Sequence, residues 1–517
     1  MKKFSIYLFS ALLGCLSLAS CSGDSLDTEP TDSMSGTTLL NDGTRALVTL
    51  NGIYRSMYTA GWSTTGNTHQ CFGISAYNLM AEVMGDDMVM GAQGSGWFWF
   101  DAAYNVKGRF TSGAWRSYDL WNAYYTWISN ANYIIAAEET MGGAAEAKNY
   151  AIGQAYAIRG YSYFMLAQSF ARTYKGHESE ACVPIYTEPT STTTTGQPRS
   201  TVAEVYAQID ADLEAALSLL KGIKQQHASH MSYAVVQGIK SRVALVKEDW
   251  AAAEAAAEEA IKTSGKQIAT VDQFIGLNSV TAPNIMWGAE VISDQTGGYA
   301  SLYAHMDTAV TYGKTAPKMI TPSLYGMLSS TDDRKAWWPD LDAASAYTPD
   351  QWSGKRLQRK MFFADVSTWM GDYIWMRVEE MYLTAAEAEC RLGKEAEAKA
   401  HLTELMAKRD KNYTCMKTGK ALGALTSDLT GSLLEEIIIQ RRIELWGEGG
   451  RVYDIRRLKQ GFVRPAADGW PSGIALTARP ATKNPENYMW VLTIPQAEFD
   501  GNVNMDVAKD QNPTADE

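Results

Sequence analysis

The chain has 517 residues, 58 Asp plus Glu against 46 Lys plus Arg, a formal net charge of −12 and 46% hydrophobic residues. An acidic balance argues against nucleic acid, whose counterions a basic face displaces, and the apolar content excludes wholesale disorder. Trp (16) and Tyr (27) far outnumber Phe (13), and these two aromatics carry a polar handle, which points to rings that meet water, a ligand or a partner.

The chain opens as an address. Met1-Lys2-Lys3 is basic, Phe4 to Leu18 is apolar, and small residues Ala19 and Ser20 precede Cys21. This is an export signal over residues 1–20, too short for a spanning helix. The order Leu18-Ala19-Ser20-Cys21 resembles a bacterial lipoprotein box, which makes Cys21 the lipidated residue. Residues 21–38, rich in Ser, Thr, Gly and acidic groups, read as a flexible tether. Residues 39–517 read as a single domain with no later membrane span.

Within it, Val83 to Arg109 is dense in Gly, Met and Trp. Trp115 to Thr140 is helical in character, with Trp115, Tyr118, Asn122 and Tyr125 at three- and four-residue steps. Ala151 to Arg172 is apolar around most of its circumference and reads as a buried helix. A proline- and threonine-rich loop follows through Pro198. Thr201-Val202-Ala203-Glu204 then has capping-box spacing and opens a helix through Leu220. Tyr233 to Val246 and Trp250 to Lys262 form a hairpin about Lys247-Glu248-Asp249. Ile374 to Leu392 and Glu395 to Arg409 repeat the scheme about Gly393-Lys394. Unit length is near that of a tetratricopeptide (TPR) repeat without its strict consensus. The expected fold is mainly α: TPR-like helix pairs at about 115–172, 201–262 and 374–409, a helix over 433–460, and an irregular lobe over 265–372 with short strands such as Ile285 to Ile292. Loops of that length carry function.

Four constellations hold chemistry-bearing residues. Asp86-Asp87 either ends a helix, hydrogen-bonds ligand hydroxyls or leaves room for a structural Ca²⁺. Gly94-Ser95-Gly96-Trp97-Phe98-Trp99-Phe100 sets four aromatics in a Gly-rich loop; as a strand, Trp97 and Trp99 would share a face. Tyr299, Tyr303, Tyr312, Trp337, Trp338 and Trp352 concentrate in the lobe, as core or as ligand platform, while Trp287 reads as core. From Arg441 to Arg457, acids and arginines recur three apart, the spacing of helical ion pairs. Carboxylates so accompanied have lowered pKa values and make poor general acids. Cys71, Cys182, Cys390 and Cys415 lack metal-type spacing, and His227 with His230 has no third ligand nearby. No phosphate loop, Gly-x-Ser-x-Gly or zinc-protease pair is present.

In this order the parts resemble the SusD/RagB family of outer-membrane lipoproteins. The resemblance rests on the lipobox, Asn51-Gly52-Ile53-Tyr54, Gly85-Asp86-Asp87 and Ala155-Tyr156-Ala157-Ile158-Arg159-Gly160. Further matches are Asp332-Asp333-Arg334, Arg377 to Leu383 with Ala386-Glu387-Ala388, and above all Gln440 to Leu445, Glu448 to Arg451 and Asp454 to Arg457. Gln440 stands where the family usually has Glu, and Gln511-Asn512-Pro513-Thr514 lacks its usual Gly-Tyr. The resemblance implies a non-catalytic lipoprotein on the outer face of the outer membrane that passes oligosaccharides to a SusC-like TonB-dependent transporter. It implies no cofactor beyond lipid at Cys21. Peptide capture, as in the RagB branch, and a surface glycosidase are the alternatives. The candidate ligand contacts are Trp97, Trp99, Asp86, Asp87, Tyr299, Tyr303, Trp337 and Trp338.

Overall fold

The computed structural model describes residues 40–62, 67–104, 113–339, 356–477 and 480–513. The signal, Cys21, the tether and Trp352 lie outside them. The elements that matter here are, in chain order, α1 (Gly43–Ser56), α2 (Ile74–Val83), β1 (Met88–Met90), α3 (Trp99–Ala102), α4 (Trp115–Ala136), α5 (Ala145–Phe170), α6 (Val202–Leu220), α7 (Tyr233–Lys247) and α8 (Trp250–Ser264). They continue with β2 (Ile285–Ala289), α9 (Leu302–Met306), α10 (Thr311–Thr315), β3 (Lys318–Ile320), β4 (Tyr373–Arg377), α11 (Val378–Leu392), α12 (Glu395–Met406), α13 (Leu433–Glu444), α14 (Arg451–Arg457) and α15 (Gln496–Gly501).

Consecutive helices pack as hairpins: α4 on α5, α5 on α6, α7 on α8 and α11 on α12, with α8 on α11 joining the pairs. This is the mainly α, TPR-like scaffold that the periodicity predicts. Thr201 caps α6 with a full capping box, and Glu248 (φ 58°) and Gly393 (φ 83°) turn their hairpins as left-handed residues. Helix α5 buries residues on every side, from Tyr150 and Ile152 to Leu166 and Phe170. It can do so because its glycines let α6 approach. A Cβ at Gly153 would stand 2.8 Å from Leu220.

Two expectations need correction. Residues 373–377 are not helix but strand β4, antiparallel to β2, with Ile285 opposite Arg377 and Ala289 opposite Tyr373. A run of Tyr, Ile, Trp and Met buried on both faces prefers the pleat. The segment 433–460 is two helices, broken where Gly450 takes φ 83° against the Tyr453 ring.

The loop-rich lobe is built as expected from short elements. Its less evident feature is strand β3, which pairs antiparallel with β1, Met88 opposite Ile320. That pairing draws the 83–104 stretch onto the lobe 230 residues further along the chain. Trp287 lies in the core, as expected, its indole N–H donating to the Ser229 carbonyl at 2.9 Å.

Candidate functional site

Five aromatic rings from four separate segments meet at the lobe surface: His69, Trp97, Tyr299, Tyr312 and Trp369. His69 stacks on Tyr299 (centroids 5.7 Å apart, planes 22° apart) and meets Trp97 edge-on at 5.6 Å. Tyr312 lies 6.1 Å from Trp97 and 5.5 Å from Tyr299, and Trp369 extends the row 5.0 Å beyond Tyr299. Tyr299 is 49% exposed, and the other four rings are half-buried, so ring faces remain open to solvent.

Each ring is held by its own local device. Gln70 ties the His69 and Trp97 segments together: its side-chain oxygen accepts the Phe98 N–H at 2.8 Å, while Arg116 donates to its carbonyl at 2.8 Å. Arg116 is in turn fixed by a buried ion pair with Asp101 at 2.9 Å. Tyr299 rides on the Gly297-Gly298 turn, closed by Ser301 donating to the Gly298 carbonyl. Asp365 accepts from the Ser367 N–H and the Ser367 and Thr368 hydroxyls, closing the turn that presents Trp369. Three of the eight non-glycine residues with positive φ among the described residues fall here: Phe98 (62°), Thr311 (49°) and Trp369 (60°). Such backbone costs about 1–3 kcal/mol per residue and persists where the surroundings impose it, which is typical of functional sites.

Beneath the rings lies His305, fully buried. It stacks on Tyr312 at 5.0 Å and donates its Nε2–H to the His69 carbonyl at 2.6 Å. Burial, then the nearby Lys318 ammonium, push its pKa well below the ordinary imidazole value, so it is neutral. Lys318 itself is pushed down by burial to about 7. His69 and Tyr312 share a 2.6 Å hydrogen bond. The Trp97 indole nitrogen is itself buried and its N–H finds no acceptor among the described residues.

Of the eight candidate contacts, only Trp97 and Tyr299 reach this platform. Tyr312, also noted in the sequence, joins them. Trp97 and Phe98 form a turn and Trp99 opens α3, rather than a strand, so Trp97 and Trp99 part company, and Trp99 packs down against Gly473. Tyr303 is buried, stacked on Tyr373, its hydroxyl donating to the Leu277 carbonyl at 2.6 Å. Trp337 and Trp338 are 1% and 0% exposed, locked against Phe274 and Trp446, and have no face to offer. His69 and Trp369 were missed. Each is a lone ring in a polar loop, with no local pattern to mark it.

Asp86 and Asp87 are also withdrawn from any ligand. Both are buried, with Arg451 2.9 Å from each and Arg442 2.6 Å from Asp87. Burial raises the Asp86 pKa, but Arg451 and Arg442 outweigh it and hold it at about 2. All four carboxylate oxygens are engaged by Arg or Thr426, which leaves none for Ca²⁺.

The sequence matches, over residues 76–245, a family described as starch-binding and associating with the outer membrane. A SusD-like carbohydrate-binding protein from Bacteroides vulgatus is 27% identical; the alignment covers 82% of this chain and 85% of that one, with a TM-score of 0.69. The chain is thus similar to SusD-like proteins, in sequence over residues 76–245 and in fold over most of its length. At lower identity the likeness is one of fold. A laminarin-binding SusD-like protein is 19% identical (TM-score 0.65; 92% of this chain, 99% of that one), and surface glycan-binding protein A from Bacteroides uniformis 18% (TM-score 0.65; 91% and 99%). No curated protein matches the sequence.

The Arg441 to Arg457 block is an ion-pair network, as its spacing suggests, but most partners are distant in sequence. Only Asp454 and Arg457 pair within one helix, at 2.7 Å. Glu444 meets Arg409 at 2.8 Å, Arg377 at 3.1 Å and Arg334 at 3.3 Å, and Glu448 meets Arg377 at 2.7 Å. A cavity of about 80 Å³ lies within this network. That is room for a few waters and not for a sugar. Glu82, on its wall, is raised by burial to about 7, but its carboxylate accepts the Gly450 and Arg451 N–H groups rather than facing a substrate.

Proposed function

We propose that this protein is a SusD-like lipoprotein that binds neutral oligosaccharides on the His69–Trp97–Tyr299–Tyr312–Trp369 platform, without catalysis. The observation that carries the reading is the platform itself. Rings with open faces, fixed by turns on a folded base, suit the C–H face of a pyranose, whose hydroxyls then seek polar groups at the rim. The family description and the names of the carbohydrate-binding structural neighbours support the ligand class.

A glycosidase needs two carboxyl groups flanking the bond to be broken, one of them kept protonated. Among the described residues, the carboxylates near the family motifs face guanidinium groups, and the platform is built of rings. The protein is lipid-anchored through Cys21, sits on the outer face of the outer membrane and hands its glycan to a SusC-like TonB-dependent transporter. The lipobox and the family description support this placement. No helix of the described residues is long and apolar enough to cross a membrane.

Calorimetry of the chain lacking residues 1–21, against a glycan panel and a peptide pool, tests the reading. Saturable glycan binding that is lost in Trp97→Ala/Tyr299→Ala is expected. Heat with peptides alone would replace sugar by peptide as the ligand.

A further inference from the structure

The aromatic steps along α4 are not used by the platform. Tyr118, Asn122, Tyr125, Ser129 and Asn132 lie on one face of that helix, and the 14 steps from first to last span about 21 Å. They form the floor of a groove of about 410 Å³. Its far wall is the 184–190 loop, and its near wall includes Glu498 on α15.

This groove is a built feature. Tyr125 donates to the Pro184 carbonyl at 2.7 Å, and the Asn132 amide donates to the Tyr186 and Glu188 carbonyls at 3.0 and 3.1 Å. Asn132 is itself held by Arg159 at 2.8 Å, and Arg159 by a buried ion pair with Asp212 at 2.7 Å. Across the groove the Trp121 indole donates to Glu498 at 3.2 Å, and Asn502 fixes the second Glu498 oxygen at 2.7 Å. Tyr125 stands edge-on to Tyr186 at 6.0 Å, so two half-buried rings line the passage.

What it lacks is equally informative. Among the described residues, Glu498 is the one charged residue in the lining, so an anion finds no cation there. Among the described residues, no strand edge borders it to pair with a peptide backbone. The Tyr118 phenol, the Thr126 hydroxyl and the Asn130 amide point to no hydrogen-bond partner among the described residues. Half-buried rings, free hydroxyls and amides, and near-neutrality fit a neutral, hydroxyl-rich chain.

We infer that the α4 groove is a second oligosaccharide-binding site, on the helical scaffold and separate from the lobe platform. The inference takes its ligand class from the reading above. Two sites would let one molecule hold a long glycan at two points, where linkage multiplies affinity.

The test is calorimetric stoichiometry with laminarihexaose and maltoheptaose, on wild type, Trp97→Ala/Tyr299→Ala and Tyr118→Ala/Asn130→Ala, with Tyr118→Phe as the conservative control. Thermal melts would confirm that each variant folds. Expected are two sites per wild-type chain and one in each double variant. The surviving groove site should weaken by roughly tenfold or more when Tyr118 is truncated, and by less in Tyr118→Phe, which keeps the ring and loses only the hydroxyl. One wild-type site, lost in the platform variant and untouched in the Tyr118 variant, would overturn the groove and leave the platform standing. Binding that survives platform loss but disappears with Tyr118 would uphold the groove and overturn the platform. Silence with both sugars would overturn both.

Discussion

Around Glu444, three guanidinium groups converge on one carboxylate with no solvent exposure on any partner. Around His69, three rings converge on an imidazole and leave faces open to water. Both regions are dense in residue types that do chemistry, and both draw their members from distant parts of the chain. They differ in commitment. In the first, donors and acceptors answer each other, and although burial alone would raise the Glu444 pKa, Arg409, Arg377 and Arg334 hold it well below the carboxylate range. In the second, hydrogen bonds fix the backbone while the ring faces stay free. The lesson is that a binding surface is marked by what remains unpaired once the fold is satisfied.

The sharpest way to break this contrast is Glu444→Ala. Removing one partner of a buried pair leaves uncompensated charge, so the variant should lose about 3–5 kcal/mol of stability. Urea unfolding reads this directly. An unchanged midpoint would mean the network is not the structural keystone described. Trp97→Ala should do the reverse, lowering glycan affinity by about 2 kcal/mol, or roughly 30-fold, while the unfolding midpoint moves less than for Glu444→Ala.

Acidity sharpens the comparison through His305, at the base of the platform. Its folded pKa is depressed, so below about pH 6.5 the unfolded chain takes a proton that the folded chain refuses, and stability falls with pH. Glu82 and Asp119, both raised by burial to about 7, act oppositely: the folded state keeps protons that the unfolded state sheds. The stability gap between wild type and His305→Gln should narrow by up to ~1.4 kcal/mol per unit as pH falls from 6.5 to 5. A constant gap across that range would contradict a neutral His305. The smallest effect belongs to Tyr299→Ala, which should weaken glycan binding by about 1 kcal/mol and leave stability within about 0.5 kcal/mol, since the ring is half exposed.

The scaffold was legible because its signals are local. A capping box at Thr201, hairpin turns at Glu248 and Gly393 and a buried run through α5 each declare themselves within a few residues. The β4 strand was misread as helix because its reason lies in β2, 88 residues earlier. The ion network was legible as a kind but not as a wiring diagram, since spacing predicts partners along a helix and these arginines reach across the fold. At the platform, Trp97 and Tyr299 stood out in Gly-rich turns, whereas His69 and Trp369 carry no pattern at all. Trp337 and Trp338 are, like Trp97, tryptophans in a stretch without strong helical pattern. Only packing tells a ring that closes the core from one that closes on a ligand.

The most direct test of the account is a crystal structure of the chain with a bound oligosaccharide that calorimetry has shown to saturate it. The account predicts a pyranose ring lying over Trp97 or Tyr299, with Tyr312 and Trp369 within contact of the same chain and the Glu444 network unaltered. A glycan bound while all five platform rings stay bare, or one contacting Asp86, Asp87 or Glu448, would contradict it.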